Sequence, residues 1–349
     1  MLLLHPGASY STHDVYVGLG RALKDAGVEV AEYALGQRMT YAQSWLDGVW
    51  RKRGANPDEK PTWWDVLYWA CRDARDMAEI RDVDWVLAVS GMFLHPDALL
   101  SMRRAGLKTA VLFTESPYDD DKQAQMAELV DMCWTNERTS VRRLQPHNAN
   151  ASYLRAAYDP ARHTPFAEVD TNVTSHDVVF VGTGFRERVE LLSAVDWSGI
   201  DLGLYGVWNR AHMPRRLRPY VRGKVVSNDH AAALYRQAKI GLNLYRHPPE
   251  GMRAESMNPR AYELAACGVF QISDRRAEGI ETLGWAAPTF RDADELQAHL
   301  TMYLDRPSHR RAHAIAARRS IQSHTFAARA AQVLADLERF ERQPIAKGA

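Results

Sequence analysis

Residues 240–272 read IGLNLYRHPPEGMRAESMNPRAYELAACGVFQI and predict a strand, a loop, a helix and a second strand. The apolar runs at the two ends are typical of buried strands. Asn258 is a favoured N-cap residue, Pro259 suits the first helical position, and Gly268 suits the residue after a helix end. The helix therefore begins just after a strand, where its free backbone N–H groups favour an anion such as phosphate.

The same alternation of apolar strands and amphipathic helices runs through the chain and lapses at residues 158–176, which are polar and contain prolines. Such alternation predicts largely parallel α/β sheets with helices on both faces. We predict one domain over residues 1–165, a second over 166–325, and a final segment over 326–349. Open parallel sheets bind ligands at the carboxyl ends of their strands, so we expect the ligand in a central cleft between two facing sheets.

The composition excludes several classes of protein. The 349 residues are 46% hydrophobic and 25% charged, with 44 Lys+Arg against 43 Asp+Glu, which is typical of a globular protein rather than a disordered or wholly nucleic-acid-binding one. No apolar run approaches the roughly 18 residues of a membrane span. Three cysteines lack zinc-type spacing, and the apolar N-terminus lacks the basic start of a signal peptide. These features predict a cytoplasmic protein with reduced thiols.

Two carboxylates accompany the predicted anion site. Glu255 stands just before the helix and Glu263 lies on its second turn. A carboxylate beside a phosphate is unfavourable unless it accepts hydrogen bonds, and the hydroxyls of a ligand supply them. A ribose or hexose diol attached to a diphosphate meets both requirements.

The spacing of Glu255 and Glu263, eight residues apart, resembles that of retaining two-domain glycosyltransferases, which have the GT-B fold of two Rossmann-like α/β domains. The wider sequence resembles the CgeB-like (spore maturation type) glycosyltransferase family. The segments that carry this resemblance are residues 180–188, 238–274 and 324–330, within a region of about 177–335, and more loosely 80–140.

The resemblance implies a nucleoside-diphosphate sugar donor, with UDP, GDP or dTDP as the nucleotide. Glu263 would hold the ribose hydroxyls, and Glu255 would lie near the donor sugar. The backbone N–H groups of Met257 and Asn258 would face phosphate. The remaining residues expected at the donor are Arg260, Gly182 and Gly184.

Arg186 or Arg188, after the Gly182–Gly184 turn, would counter the charge of the departing diphosphate, because a preorganised cation stabilises charge that develops in the transition state. Glycosyltransferases of this fold generally need no catalytic metal, so no metal site is expected. The three acids at residues 119–121 are expected to be solvated or to cap a helix. The resemblance also implies that the final helix crosses back to the N-terminal domain.

Two residues of the N-terminal half are candidates for the acceptor side. His13 follows the first strand and could orient or deprotonate an acceptor hydroxyl, although Thr12 or Asp14 there could simply cap a helix. Glu115 follows another strand on the same predicted edge, where it could act as a base or as a solvated loop residue.

Two further regions leave the acceptor class open. Residues 38–75 hold five of the ten tryptophans, which could pack this insertion onto the domain or form an aromatic platform. Residues 210–224, which end with Lys224, and residues 306–335 contain arginines and no acid, which is typical of either a solvated surface or a polyanion site.

We therefore predict an enzyme that transfers a sugar from a nucleotide donor to a hydroxyl acceptor, with retention of anomeric configuration. One alternative is a DNA glycosyltransferase that acts on a hydroxylated base. The others are a nucleotide-sugar epimerase and a non-catalytic nucleotide-sugar binder, because one fold hosts many activities.

Overall fold

The computed structural model describes residues 1–8, 12–223 and 226–342. The chain divides into two compact units: the first comprises Met1–Arg155 together with the segment from Phe326 onward, and the second comprises Ala156–Thr325. The boundary precedes residue 165, where the proline-rich lapse predicted it. The predicted α/β class is confirmed in both units.

The first unit is built on a six-stranded sheet in the order β2-β1-β3-β4-β5-β6, and every neighbouring pair is parallel. Its strands are β1 (Leu2–His5), β2 (Ala31–Ala34), β3 (Trp85–Val89), β4 (Lys108–Phe113), β5 (Met132–Thr135) and β6 (Ala151–Tyr153). The β1 side chains are buried on both faces of the sheet, as its continuous apolar run predicts.

Helices cover both faces of this sheet. Those before the unit boundary are α1 (His13–Asp25), α2 (Leu35–Lys52), α3 (Trp63–Ile80), α4 (Pro96–Arg104), α5 (Asp120–Ala127) and α6 (Val141–Leu144). The tryptophan-rich region forms most of α2 and α3, which connect β2 to β3. Aliphatic side chains such as Leu35 and Leu67 bury these helices against the sheet.

Three tryptophan rings of this region are only partly buried. Trp45, Trp63 and Trp64 are each more than half exposed, at 51%, 55% and 57%. Each ring still contacts a neighbour: the centroid distances are 4.4 Å from Trp45 to Trp69, 6.5 Å from Trp63 to Phe93 and 5.1 Å from Trp64 to His95. The rings therefore pack on one side and expose the other, and both interpretations stay open.

The second unit contains a five-stranded parallel sheet in the order β11-β10-β9-β7-β8. Its strands are β7 (Val178–Val181), β8 (Leu202–Tyr205), β9 (Ile240–Asn243), β10 (Phe270–Asp274) and β11 (Thr289–Phe290). Its helices are α7 (Arg186–Ala194), α8 (Asn228–Gln237), α9 (Pro259–Cys267), α10 (Ala277–Leu283), α11 (Ala293–Leu304) and α12 (Pro307–Ser320).

The last helix, α13 (Phe326–Arg342), packs in the first unit against α1. The contact is close at Gly18, where an added Cβ would lie 2.2 Å from the Phe326 ring. Trp134 on β5 donates its indole N–H to Asp336 of α13 at 2.9 Å. The final segment therefore completes the core of the first unit.

Candidate functional site

Helix α9 has the predicted ends. The Asn258 side chain accepts a hydrogen bond from the Ala261 N–H at 3.1 Å, and Pro259 is the first helical residue. Gly268 follows the helix in the left-handed conformation with φ 73°, which glycine adopts without steric cost. The strand–loop–helix unit therefore presents a helix N-terminus at the carboxyl edge of the second sheet.

A buried carboxylate that the sequence analysis missed holds the loop before α9. The Glu278 side chain on α10 is fully buried and accepts the Met257 N–H at 2.6 Å. The Glu278 N–H in turn donates to the Glu255 carbonyl at 2.9 Å. The Met257 N–H, predicted to face phosphate, instead satisfies this buried acid, because a buried carboxylate requires hydrogen-bond donors.

Glu263 lies on the second turn of α9, partly buried, beside a histidine that the sequence analysis did not identify. A His163 ring nitrogen and a Glu263 carboxylate oxygen lie within 4.8 Å of each other. The His163 ring is buried, and its Nδ1 accepts the Asp159 N–H at 3.3 Å. In a neutral ring this bond leaves the proton on Nε2. Glu263 thus stands beside an oriented imidazole.

Arg188 and Arg260 converge on the carboxyl ends of β7 and β9. Arg188 donates to the carbonyls of Thr183 and Leu244 at 2.8 and 2.7 Å, and Arg260 donates to those of Val181 and Leu244 at 2.8 and 3.1 Å. Both guanidinium groups lie over the Phe180 ring, at 5.3 and 4.6 Å from its centroid. The carbonyls fix these two positive charges at the edge where the predicted ligand binds.

Arg186 does not join this pair. Its side chain is 91% exposed and bonds to Glu190, one helical turn along α7, at 2.7 Å. This is an ordinary surface ion pair of small energetic effect. Of the two predicted cations, only Arg188 lies in the cluster.

The Gly182–Gly184 turn is tightly packed rather than open to a phosphate. The Gly182 and Gly184 N–H groups donate to the carbonyls of Tyr205 and Val207, each at 2.8 Å. A Cβ at Gly182 would lie 2.5 Å from Arg260, and one at Gly184 would lie 2.3 Å from the Trp208 ring. These glycines therefore allow the arginine and the tryptophan to approach the backbone.

Asp274 ends β10 inside the same positive cluster. Both of its carboxylate oxygens accept the Tyr245 N–H, at 3.0 and 3.1 Å. Burial raises the pKa of Asp274 to about 6, and the nearby charges of Arg276, Arg188 and Arg260 oppose that rise. Three cations around one acid leave a positive potential at this edge, which favours a bound diphosphate.

The predicted acceptor residues lie at the carboxyl edge of the first sheet. His13 is the first residue of α1, and its Nδ1 is 3.0 Å from the Tyr16 hydroxyl. Thr12 makes no side-chain capping bond, so the capping interpretation is wrong for this residue. Glu115 follows β4, is partly buried and accepts the Thr114 hydroxyl at 3.3 Å.

Ser90, at the end of β3, is a candidate that the sequence analysis missed. Its backbone is left-handed, with φ 69°, and its side chain is buried. A non-glycine residue in this conformation is strained, and such strain clusters at functional sites. The sequence offers no sign of it beyond the position of Ser90 between a strand and a glycine.

The three acids at residues 119–121 and one arginine of the stretch 210–224 have local partners. Asp119 pairs with Lys122 at 3.6 Å, Asp120 accepts the Ser140 hydroxyl at 2.7 Å, and Asp121 pairs with Arg143 at 2.6 Å. In the stretch 210–224, Arg222 pairs with Asp201 at 3.0 Å. Lys224 lies outside the described residues.

Two comparisons of the sequence with known proteins match part of the chain. Residues 186–335 match the family model described as glycosyl transferase-like. The spore protein CgeB of Bacillus subtilis (strain 168) is 24% identical over 210 residues, which cover 55% of this chain and 63% of that relative. The match therefore spans less than two thirds of the relative's length.

Solved structures give the fold. The sucrose-phosphate synthase from Thermosynechococcus elongatus superposes with a TM-score of 0.69 at 15% identity, covering 98% of this chain and 99% of its own. The trehalose-6-phosphate structure from E. coli with bound UDP-2-fluoro glucose has a TM-score of 0.63 at 13% identity, covering 97% and 99%. The predicted GT-B fold is confirmed, and together with the family match it supports glycosyl transfer.

Within the described part of the chain, no helix combines the length and the apolar character needed to cross a membrane.

Proposed function

We propose that this chain transfers a sugar from a nucleoside-diphosphate sugar to a hydroxyl acceptor with retention of anomeric configuration. The observation that carries the proposal is that Glu263, on α9, lies beside the His163 ring. In this assignment Glu263 accepts hydrogen bonds from the ribose hydroxyls. The His163 imidazole, held by the Asp159 backbone, positions that carboxylate.

The positive cluster serves the diphosphate in this proposal. Arg188 and Arg260 are held on backbone carbonyls, so they act on the ligand through their field and need little reorganisation as charge develops. We assign the role of countering the leaving charge to this pair and not to Arg186, which is exposed on α7.

The proposed step breaks the bond between the sugar C1 and the diphosphate oxygen. The acceptor oxygen bonds to C1 on the same face, and its proton passes to the departing phosphate. No strong protein base is needed in this step. His13 and Glu115 on the first unit are then proposed contacts of the acceptor, and Glu255 a contact of the donor sugar. The step uses no metal, so EDTA should leave the rate unchanged.

The comparisons support this donor class, because the E. coli relative of similar fold holds UDP-2-fluoro glucose. The test is a panel of UDP-, GDP- and dTDP-sugars in a thermal-shift assay, followed by NMR of the product formed from the best ligand. The proposal predicts one stabilising donor and a product of retained configuration.

Three other results would contradict parts of the proposal. An inverted product would exclude retention. An isomerised nucleotide sugar formed without acceptor would favour the epimerase, and stabilisation without turnover across acceptors of all classes would favour a binding protein.

A further inference from the structure

A basic groove lies on the second unit at the amino ends of β9 and β10. Lys239 immediately precedes β9, Val269 immediately precedes β10, and α12 supplies one wall. The groove has a volume of about 660 Å³. Because the candidate donor site lies at the carboxyl ends of the same strands, the groove is at the opposite edge of this sheet.

The residues that line the groove include six cations and no acid. They are Arg236, Lys239, Arg310, Arg311, Arg318 and Arg319. Within the described part of the chain, three of these cations bind groups outside the groove lining or at a helix end. Lys239 pairs with Asp177 at 2.7 Å, and Arg236 donates to the Arg162 carbonyl at 3.2 Å. Arg310 donates to backbone carbonyls at the end of α11.

Arg311 and Arg319 are two cations of the groove that a ligand can reach. Both are exposed, and neither has an ion-pair partner among the described residues. They are separated by eight residues of α12, which corresponds to about 12 Å along the helix axis. Charges spread over this distance fit a chain of phosphates better than one compact diphosphate.

An aromatic ring stands beside the row of charges. Phe166 lines the groove, is 79% exposed, and has the Arg318 guanidinium stacked 4.8 Å from its ring centroid. Proteins that bind single-stranded nucleic acids combine a positive groove for the backbone with aromatic and arginine planes on which bases stack. A bilayer surface is flat and does not enter a concave groove, so the shape favours a strand over a membrane.

We propose that this groove binds single-stranded nucleic acid, with phosphates on Arg311 and Arg319 and a base against Phe166. The site is separate from sugar transfer, because the strand would lie at the edge opposite the candidate donor site. The nucleic acid is therefore a docking partner of the second unit and not the glycosyl acceptor, and the inference does not rest on the proposed function.

The test measures the fluorescence anisotropy of labelled twelve-nucleotide dT and rU strands with the full chain over a range of salt. The variant Arg311→Ala/Arg319→Ala is compared with Arg215→Ala/Arg216→Ala, which removes two exposed arginines elsewhere on the same unit. Loss of two phosphate contacts should lower the slope of log affinity against log salt by about 1.4, which is about 25-fold in affinity at about 0.1 M salt. The control variant should bind within about twofold of the wild type.

Phe166→Ala separates a nucleic acid from any other polyanion. It should weaken oligonucleotide binding by at least about fivefold, the lower range for loss of one stacked base, and leave binding of inorganic polyphosphate unchanged. Three results would overturn the proposal: no oligonucleotide binding by the wild type, equal losses in the two double variants, or no effect of Phe166→Ala. Binding to phosphatidylglycerol vesicles that Arg311→Ala/Arg319→Ala abolishes, with no oligonucleotide binding by the wild type, would assign the groove to a membrane instead.

Discussion

Glu263 lies partly buried on α9, next to the His163 ring. At the scale of single residues the sequence predicted the position of Glu263 on the second turn of α9, because that position depends only on the local helix; its role in binding stays a prediction. His163 escaped prediction because it lies within the proline-rich lapse and reaches Glu263 only through the tertiary fold. Glu278 was also missed, because it lies outside the segments that carry the family resemblance. Only the fold joins it by hydrogen bonds to the loop before α9.

The sequence was less informative about the contacts of the glycines and arginines that follow β7. The Gly182–Gly184 turn has the composition of a phosphate loop, but the carbonyls of Tyr205, at the end of β8, and of Val207 accept the N–H groups of its two glycines. Arg186 and Arg188 are two positions apart on α7, so they point in different directions, and one is exposed while the other is buried. Sequence spacing alone did not tell which of the two faces the sheet.

Asp274 provides a pH-dependent prediction. Its folded-state pKa of about 6 lies above the ordinary value of 3.8, so the folded protein binds the proton more tightly than the unfolded chain does. The stability contributed by the protonated form is present at low pH and is lost as the pH rises from about 4 to about 6, by about 3 kcal/mol.

The measurement is the free energy of unfolding of the wild type and of Asp274→Asn, which cannot ionise, at several pH values. The difference should shift in favour of the variant as the pH rises through this window. A difference that stays constant between about pH 4 and pH 7 would show that this carboxyl is not perturbed.

At the scale of elements, local chemistry accounts for most of what could be predicted. Alternating apolar and amphipathic runs predicted the strands and helices of both sheets, and the residues flanking α9 predicted both of its ends. The boundary between the two units was harder to predict. The second unit begins at Ala156, just before the start of the proline-rich lapse. The lapse in pattern marks a change of composition, whereas the unit boundary is set by packing.

The cap of α9 can be tested directly. Asn258→Ala removes the acceptor for the Ala261 N–H and should lower the free energy of unfolding by about 1 kcal/mol. Asn258→Asp keeps an acceptor at the same place and should remain close to the wild type. Equal destabilisation of the two variants in denaturant unfolding would argue against the cap.

At the scale of the whole molecule, the chain end belongs to the unit in which the chain begins. Helix α13 packs against α1 of the first unit, and Asp336 supplies the hydrogen-bond acceptor for the buried Trp134 indole. The family resemblance implied that α13 packs in the first unit. The residues alone could not show this, because an amphipathic helix does not reveal which unit its apolar face contacts.

Asp336→Ala should therefore destabilise the protein although it lies far along the chain from Trp134. The buried indole N–H would lose its acceptor, which costs about 1–3 kcal/mol of the free energy of unfolding. Glu338→Ala, which breaks only an exposed pair with Arg342, should change that free energy by less than about 0.5 kcal/mol. Equal effects in denaturant unfolding would contradict the assigned contact.

The near balance of 44 basic against 43 acidic residues conceals local asymmetry. In the arginine stretch at 210–224, Arg210, Arg218 and Arg222 have local partners and Arg215 and Arg216 are exposed, whereas α12 places the exposed Arg311 and Arg319 along one groove. Composition could not distinguish the two stretches, because only the fold determines which exposed arginines line a groove.

The central claim is that Glu263 holds the nucleotide part of a sugar donor. The most direct measurement is calorimetric binding of the donor identified by thermal shift to the wild type, to Glu263→Gln, and to the exposed control Glu190→Gln. Loss of a charged hydrogen-bond acceptor of ribose should cost about 1.5–3 kcal/mol, which is about 10- to 150-fold in Kd, while the control remains unchanged. Unaltered donor affinity in a folded Glu263→Gln protein would contradict the claim.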